Sequence, residues 1–241
     1  MLRSILRGIF LCRFMMPGIL AIDSSTEACS CALIKDGTVS ETFEIIPRQQ
    51  AKCLLPMVKN LLSDHSLDFN DLQAVAYGQG PGSFTGLRIA AGVTQGIAFA
   101  VNIPVIPVST LAALAYQVKN EQEQAIVFSA LDARIDEIYW GMYASHPGSM
   151  VLLGKEELCK PELLPEHLQQ EGSTFVGVGS GMHYFDRMPE KFRKHLSIIK
   201  SDLYPRAGII AQIAETYFID GNFQTPEMVH PVYLRDKVTH S

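Results

Sequence analysis

Two glycine-rich loops are the segments of this sequence whose residue types and spacing could do chemistry. The first contains Gly80, Gly82 and Ser83 and precedes a predicted helix, and the second contains Gly179 and Gly181 after an apolar run. A glycine-rich loop that opens a helix can hold phosphate through backbone N–H groups and the helix dipole. These residues are therefore candidate nucleotide ligands.

The same loops allow a purely structural interpretation. Neither loop carries the lysine of a Walker A motif, and the glycine spacing does not match a dinucleotide fingerprint. Each can be a tight turn between a strand and a helix, with Ser83 as a helix cap. The residues alone favour the structural turn over the phosphate site.

Two acids end apolar strands at corresponding places in the two halves of the chain. Asp23 follows the run Ile19 to Ile22 and precedes Ser24, and Asp132 follows a similar run ending at Leu131. In two-lobed ATPases, an acid at this place positions a metal ion or its bound water near the phosphates. The alternative is an acid that closes a turn through its own backbone hydrogen bonds.

Composition excludes several classes of protein. The chain has 241 residues, a formal net charge of -5, 47% hydrophobic and 19% charged residues, which predicts a buried core rather than disorder. No long apolar run predicts a membrane span. The five cysteines form no CxxC pair and the histidines form no HxxxH pair, so no metal ligand is assigned. An acidic body predicts weak direct binding of nucleic acid.

The first 15 residues differ from the rest because they are basic and apolar and contain no acid. We interpret them as a leader produced by a wrong start, with Met15 or Met16 as the true start. A signal peptide and a membrane-surface helix are the alternatives.

Strand and turn patterns predict two similar lobes. Residues 18–46 read as three strands, with a hairpin signal at 35–37, and residues 125–143 repeat the strand, acid, turn and strand. This pattern predicts an α/β fold of the actin/hexokinase/Hsp70 (ASKHA) class, with a duplicated βββαβα plan. We place the lobes at 16–107 and 108–241, and the C-terminal segment could pack back on the first lobe.

Two predicted helices in the first lobe, at 48–64 and 87–101, have apolar residues on more than one side. Either this chain buries both sides or a partner covers one of them. The candidate interface residues are Ala51, Leu54, Leu55, Val58, Leu61, Leu62, Leu87, Ala90, Ala91 and Ile97.

Several motifs resemble one bacterial family. They are ILAIDSSTEACSCAL at 19–33, GPGSFTGLRI at 80–89, VSTL at 108–111, LDAR at 131–134 and PVYLR at 231–235. In this order they resemble the TsaB family, also called YeaZ. The resemblance implies an ASKHA-like fold and a role in forming threonylcarbamoyladenosine on tRNA.

The resemblance also implies partners and a division of labour. It implies a non-catalytic subunit that supports the TsaD transferase, a paralogue, through first-lobe helices, together with the ATPase TsaE. It implies contact with tRNA only through the complex, no cofactor of its own, ATP or ADP and metal held by the partners, and a cytoplasmic location. TsaD-like proteins carry two metal-binding histidines on a first-lobe helix, and residues 47–56 here contain none. A homodimer is possible for the chain alone.

Two enzymatic alternatives stay open at this point. One is an ASKHA-type ATPase or small-molecule kinase that uses Asp23, Asp132 and the glycine loops. The other is a glycoprotease-like peptidase, because members of the family were once classified as glycoproteases. The absence of a pair of metal-binding histidines counts against this alternative.

Overall fold

The computed structural model describes residues 18–119, 126–146, 149–165 and 174–235. These residues form two five-stranded mixed sheets. The first sheet has the order β3-β2-β1-β4-β5 and the second the order β10-β9-β6-β7-β8. The strands of the first sheet are β1 (Ile19–Asp23), β2 (Ala28–Lys35), β3 (Thr38–Ile45), β4 (Ala74–Gly80) and β5 (Val105–Ser109). Those of the second are β6 (Ile126–Arg134), β7 (Glu137–His146), β8 (Ser149–Cys159), β9 (Phe175–Val178) and β10 (Leu196–Lys200).

The two sheets have the same topology. Strand β1 is antiparallel to β2 and parallel to β4, and β6 is antiparallel to β7 and parallel to β9. Each sheet therefore consists of a β-meander followed by two parallel strands, in the same order. This duplication confirms the predicted α/β, ASKHA-like fold class.

The first meander forms for local reasons. Every residue of β1 is buried, as expected for a central strand covered on both faces. The turn between β2 and β3 places Asp36 and Gly37 at φ 51° and 73°, the left-handed conformations that two-residue hairpins need. The predicted hairpin at 35–37 is confirmed.

Five α-helices connect or follow these strands in the part of the chain that the structure describes. They are α1 (Gln50–Asp64), α2 (Phe84–Val101), α3 (Thr110–Tyr116), α4 (Glu190–Arg193) and α5 (Ala207–Ile219). Helices α1 and α2 pack on one face of the first sheet, where Leu54, Val58 and Ala90 join a core with Leu20 and Ile22. Pro56 lies inside α1 without ending it.

Helix α5, the last α-helix among the described residues, returns to the first lobe. Ala207 and Ile210 of α5 share a core with Ile19 and Ala21 of β1. Glu41 of β3 holds the start of α5, because its carboxylate accepts hydrogen bonds from Arg206 and from the Gly208 backbone N–H at 2.7 Å and 3.0 Å. The second half of the chain thus stabilises the first sheet.

The boundary between the lobes and the number of strands differ from those predicted. Strand β5 stays paired with β4 as far as Ser109, so a lobe boundary after residue 107 would cut a strand. Strands β8 and β10 are absent from the predicted elements; β8 lies at a sheet edge and exposes Val151 and Leu153, a pattern that reads poorly as a buried strand. The predicted leader, residues 1–15, lies outside the described residues.

Helix α2 begins before the predicted start at residue 87. Within the described part of the chain, α2 alone has the length and mean hydropathy that could cross a membrane. In this fold its residues Leu87, Ala90 and Ala98 are buried, and Ala90 and Ala98 share a core with Leu20 and Ile22 of β1.

Candidate functional site

A cleft of about 1250 Å³ lies between the two lobes. The turn between β1 and β2, the start of α1 and the first turn of α2 line it from the first lobe. The end of β6 (131–134) and Tyr139 of β7 line it from the second lobe, together with C-terminal residues that include Tyr233 and Arg235. Of the nucleotide candidates, Gly82, Ser83 and Asp132 line the cleft.

The first glycine loop is filled by the chain itself. A Cβ atom on Gly82 would lie 2.5 Å from the Ser25 carbonyl oxygen, and one on Gly86 would lie 1.8 Å from that of Ser24. The Ser83 backbone N–H donates to the Ser25 carbonyl oxygen over 2.7 Å. Backbone therefore occupies the space that a phosphate would need, and the glycines permit this close approach.

Gly80 and the glycines of the second loop are also closely approached by other parts of the chain. A Cβ atom on Gly80 would meet the Val232 carbonyl oxygen at 2.6 Å. One on Gly179 would meet the Ala130 carbonyl oxygen at 2.3 Å, and one on Gly181 would meet the Ala130 Cβ at 2.6 Å. Gly179 also has φ 91°, which favours glycine. These glycines allow neighbouring backbone segments to pack closely.

The acid of the first lobe is sealed away from the cleft. Asp23 is 2% exposed and Ser24 is fully buried. The Asp23 carboxylate accepts hydrogen bonds from the Ser25 hydroxyl at 2.7 Å and the Ser25 backbone N–H at 3.0 Å. Burial raises the pKa of Asp23 to about 6, against the lowering effect of those hydrogen bonds. Asp23 and Ser24 close a turn and do not reach a ligand in the cleft.

The acid of the second lobe is at the surface of the cleft but already paired. Asp132 accepts hydrogen bonds from the Arg134 backbone N–H at 2.8 Å and from the Tyr184 hydroxyl at 3.2 Å. The Arg134 guanidinium lies 3.4 Å from Asp132 and 3.2 Å from Glu27 of the first lobe. This arginine bridges the two lobes across the cleft.

The residues present do not fit an ATPase-type nucleotide site. Both glycine loops are filled, Asp23 is buried, and Asp132 is engaged by Arg134 and Tyr184. Within the described ranges, no cluster of three or more His, Cys, Asp or Glu side chains is arranged to hold a metal ion. We therefore derive no phosphoryl-transfer step through these residues.

The structure places most of the candidate interface residues in the chain's own core. All of them except Ala51 and Leu55 are buried, and most of these positions share a core with the first sheet. The buried ones are Leu54, Val58, Leu61, Leu62, Leu87, Ala90, Ala91 and Ile97. Burial leaves these residues little surface for a partner, so a docking surface on these helices would rest mainly on their exposed neighbours.

Those neighbours form an apolar outer face on α1 and α2. Leu55 and Phe99 are 38% and 51% exposed. Gly92 and Gly96, one turn apart on α2, are also exposed, and a Cβ atom on either would meet nothing within 4 Å. The chain's own packing does not require glycine there, in contrast to Gly82 and Gly86. We call Ala51, Leu55, Gly92, Gly96 and Phe99 the outer helix face.

A second group of residues was missed by reasoning from the sequence. Arg48, Arg88, Arg134 and Arg235 all line the cleft, and no lysine does. They lie far apart in the chain, so their spacing carries no signal. Only the duplicated fold shows that they converge.

Comparisons with known proteins agree with this fold. The family model described as "TsaD: tRNA N6-adenosine threonylcarbamoyltransferase" matches residues 43–214. A protein of Escherichia coli K12, called tRNA threonylcarbamoyladenosine biosynthesis protein TsaB, is 38% identical over 91% of this chain and 95% of its own length. Its counterpart in Haemophilus influenzae is 34% identical over 92% and 94%.

A solved structure extends the agreement to three dimensions. YeaZ from Pseudomonas aeruginosa is 41% identical and superposes with a TM-score of 0.84, over 91% of this chain and all of that one. The duplicated sheets, the motifs and these relatives lead to one conclusion. The chain belongs to the TsaB (YeaZ) family.

Proposed function

We propose that this chain is a non-catalytic subunit in the formation of threonylcarbamoyladenosine on tRNA, and that it docks on a TsaD-type transferase through the outer helix face. The observation that carries the proposal is the pair of exposed glycines on α2. Glycine inside an exposed helix costs about 1 kcal/mol relative to alanine. Because no neighbour within the chain needs the space at Gly92 and Gly96, a closely approaching partner helix explains them better.

The apolar residues around the glycines support a protein partner. Leu55 and Phe99 place large apolar side chains in water on the same pair of helices. Large apolar side chains that are exposed on a helix face are a feature of protein interfaces. Burial of such side chains against a partner would supply most of the binding energy.

Family membership favours a TsaD-type protein as the occupant of this face. The relatives carry the name of a tRNA threonylcarbamoyladenosine biosynthesis protein, and the model that matches residues 43–214 is that of TsaD itself. A TsaD-type protein would thus share the helices that this chain uses. A TsaE-type ATPase, tRNA held through the complex and a cytoplasmic location complete the proposal, and rest on the resemblance.

The cleft supports a subunit without catalysis or cofactor of its own. The turn at Ser24 and Ser25 and Ala130 of β6 lie against the glycines that were the nucleotide candidates. ATP or ADP and metal would then belong to the partners. The ATPase or kinase alternative would need ligands that these loops do not offer, and the peptidase alternative lacks a ligand cluster among the described residues.

The test combines complex formation with tRNA modification. The purified chain and the TsaD-type protein of the same organism are mixed and analysed by size-exclusion chromatography, and threonylcarbamoylation of tRNA is assayed with and without this chain. We expect a stable complex and loss of modification when the chain is omitted. No complex and full modification without the chain would refute the proposal, as would ATP turnover by the chain alone.

A second copy of this chain is the competing occupant of the outer helix face. Self-association would bury the same apolar side chains and would satisfy the two glycines equally well. Sedimentation at increasing concentration detects it. If the partner docks on this face, adding the TsaD-type protein converts the homodimer into the mixed complex, whereas a homodimer that persists places the docking site elsewhere.

A further inference from the structure

We propose that the cleft between the lobes binds a phosphorylated nucleotide through Arg48, Arg88 and the aromatic pair Phe84 and Tyr233, without the glycine loops and without hydrolysis. This proposal goes beyond the proposed function, which leaves nucleotide turnover and the main hold on tRNA to the partners: it concerns binding alone. It does not depend on docking to a TsaD-type partner, because the isolated chain contains all four residues. The nucleotide can be free or can be one unit of an RNA strand.

The charge of the cleft favours an anionic ligand. In a chain with a net charge of -5, the cleft is lined by four arginines and by two acids, Glu27 and Asp132. Both acids are already engaged by Arg134, and Arg235 is paired with Glu137. Among the residues that the structure describes, Arg48 and Arg88 have no carboxylate within ion-pair distance. Two cationic groups are therefore available to an anion.

The backbone at Arg48 supplies the second step. Its φ is 64°, a left-handed conformation that costs a non-glycine residue about 1 kcal/mol or more. The turn that imposes it is tied down by a hydrogen bond from the Ile46 N–H to the Glu27 carbonyl oxygen, and by one from the Gln49 N–H to the Ile46 carbonyl oxygen. This fixed turn places Arg48 at the cleft instead of on an open loop.

An aromatic platform at the same cleft supplies the third step. Phe84 and Tyr233 are 48% and 40% exposed, and their ring centroids lie 5.2 Å apart. The Arg88 guanidinium lies 3.9 Å from the centre of the Phe84 ring, and its Nε donates to the Tyr233 hydroxyl at 3.1 Å. Aromatic rings and arginine planes stack on bases, and arginine pairs with phosphate in a planar, two-pronged geometry.

The first turn of α2 adds to the attraction for phosphate. Ser83, Phe84 and Thr85 line the cleft, so the positive end of an 18-residue helix faces it. Arginine without lysine, exposed aromatic rings and a helix N-terminus together favour a nucleotide over an acidic peptide, which has no base to stack. The filled glycine loops place this site at the mouth of the cleft, away from buried Asp23.

Fluorescence anisotropy on the full chain tests the proposal, in low salt with EDTA. One arm uses a fluorescent ADP analogue and the other a labelled single-stranded RNA. We expect binding in at least one arm, weakened about tenfold by Arg88→Ala and by Arg48→Ala, because a charge-assisted hydrogen bond to phosphate is lost. Phe84→Ala should weaken binding as well, and Arg193→Ala, which removes an arginine outside the cleft, should not.

The pattern of results separates the two sources. Binding of the ADP analogue alone indicates a free nucleotide, and tighter binding of the RNA indicates a direct contact with RNA. Arg88→Lys keeps the charge but loses the planar group, so intermediate affinity is expected, and thermal unfolding checks that each variant folds. Binding in neither arm, or binding that Arg48→Ala and Arg88→Ala leave unchanged, would overturn the proposal.

Discussion

The Ser24 hydroxyl donates to the Gly86 carbonyl oxygen over 2.8 Å, and a Cβ atom on Gly86 would lie 1.8 Å from the Ser24 carbonyl oxygen. The turn after β1 and the first turn of α2 are thus packed backbone against backbone. This contact fills the position where a phosphate loop would need open space. The contact explains how this chain can keep the two-lobed fold while its glycine loop stabilises the backbone packing instead of holding phosphate.

Gly86→Ala is expected to destabilise the chain strongly. An added Cβ must push apart two backbone segments that are both held by hydrogen bonds, so we expect a loss of about 3 kcal/mol or more in the free energy of unfolding. Chemical denaturation measures it. A loss below about 1 kcal/mol would show that the turn at Ser24 moves easily and that the loop is not filled as described.

Gly96→Ala is expected to have the opposite effect on the isolated chain. A Cβ there meets nothing within 4 Å, and alanine is the better helix former, so stability should rise by about 0.5–1 kcal/mol. The same change should weaken the complex with a TsaD-type partner, because the methyl group separates the two helices. A more stable chain that binds the partner as tightly as before would argue that the outer helix face is not the contact.

Asp23 predicts a specific dependence of stability on pH. Its pKa is raised from 3.8 to about 6 in the folded chain, so the folded state binds the proton more tightly than the unfolded state. Stability should therefore fall as pH rises from about 4 to about 6 and change little above that, by about 3 kcal/mol at most.

Asp23→Asn isolates this contribution, because the amide has a similar shape and does not titrate. Denaturation of both proteins across this pH range should show the variant gaining stability relative to the native chain as pH rises. Other acids titrate equally in both proteins and cancel in the difference. Parallel profiles would contradict the burial of a titrating Asp23.

Glu41 is expected to be a main link between the C-terminal helix and the first sheet. Its carboxylate contacts both Arg206 and the Gly208 N–H, and its side chain is 15% exposed. Glu41→Ala should cost about 2–3 kcal/mol, because Arg206 and the Gly208 N–H both lose a charged acceptor in a part-buried contact. Glu190→Ala, which removes an exposed ion pair with Lys194, should cost less than about 0.5 kcal/mol. If Glu41→Ala cost no more free energy of unfolding than Glu190→Ala, the contacts of Glu41 would contribute little, and α5 would be held by its apolar contacts alone.

The fold was predictable because each repeat carries its own local signals. The buried run into Asp23, the hairpin at Asp36 and Gly37, and their counterparts before Asp132 appear directly in the sequence. Strand β8 was not predictable in the same way, since an edge strand that exposes Val151 and Leu153 lacks a clear alternation.

The functional surfaces were less predictable than the fold, because the direction in which each side chain points decides whether it is exposed. Leu54 and Leu55 are adjacent and chemically identical, yet Leu54 is fully buried and Leu55 is 38% exposed. The helical pattern of the sequence contains both, and only the packing of α1 on the sheet separates them. The cleft arginines are a further case, because Arg48 and Arg235 are distant in the sequence and only the fold brings both to the same cleft.

The docking claim at the centre of this account is tested most directly by Leu55→Glu and Phe99→Glu, with Leu152→Glu, an exposed apolar residue of β8, as the matched control. Each variant is mixed with the TsaD-type protein of the same organism, and the dissociation constant is measured by titration calorimetry. We predict that both helix variants fold normally and lose at least about tenfold in affinity, while the control binds as the native chain does. Native affinity in both helix variants, with normal folding, would contradict docking through the outer helix face.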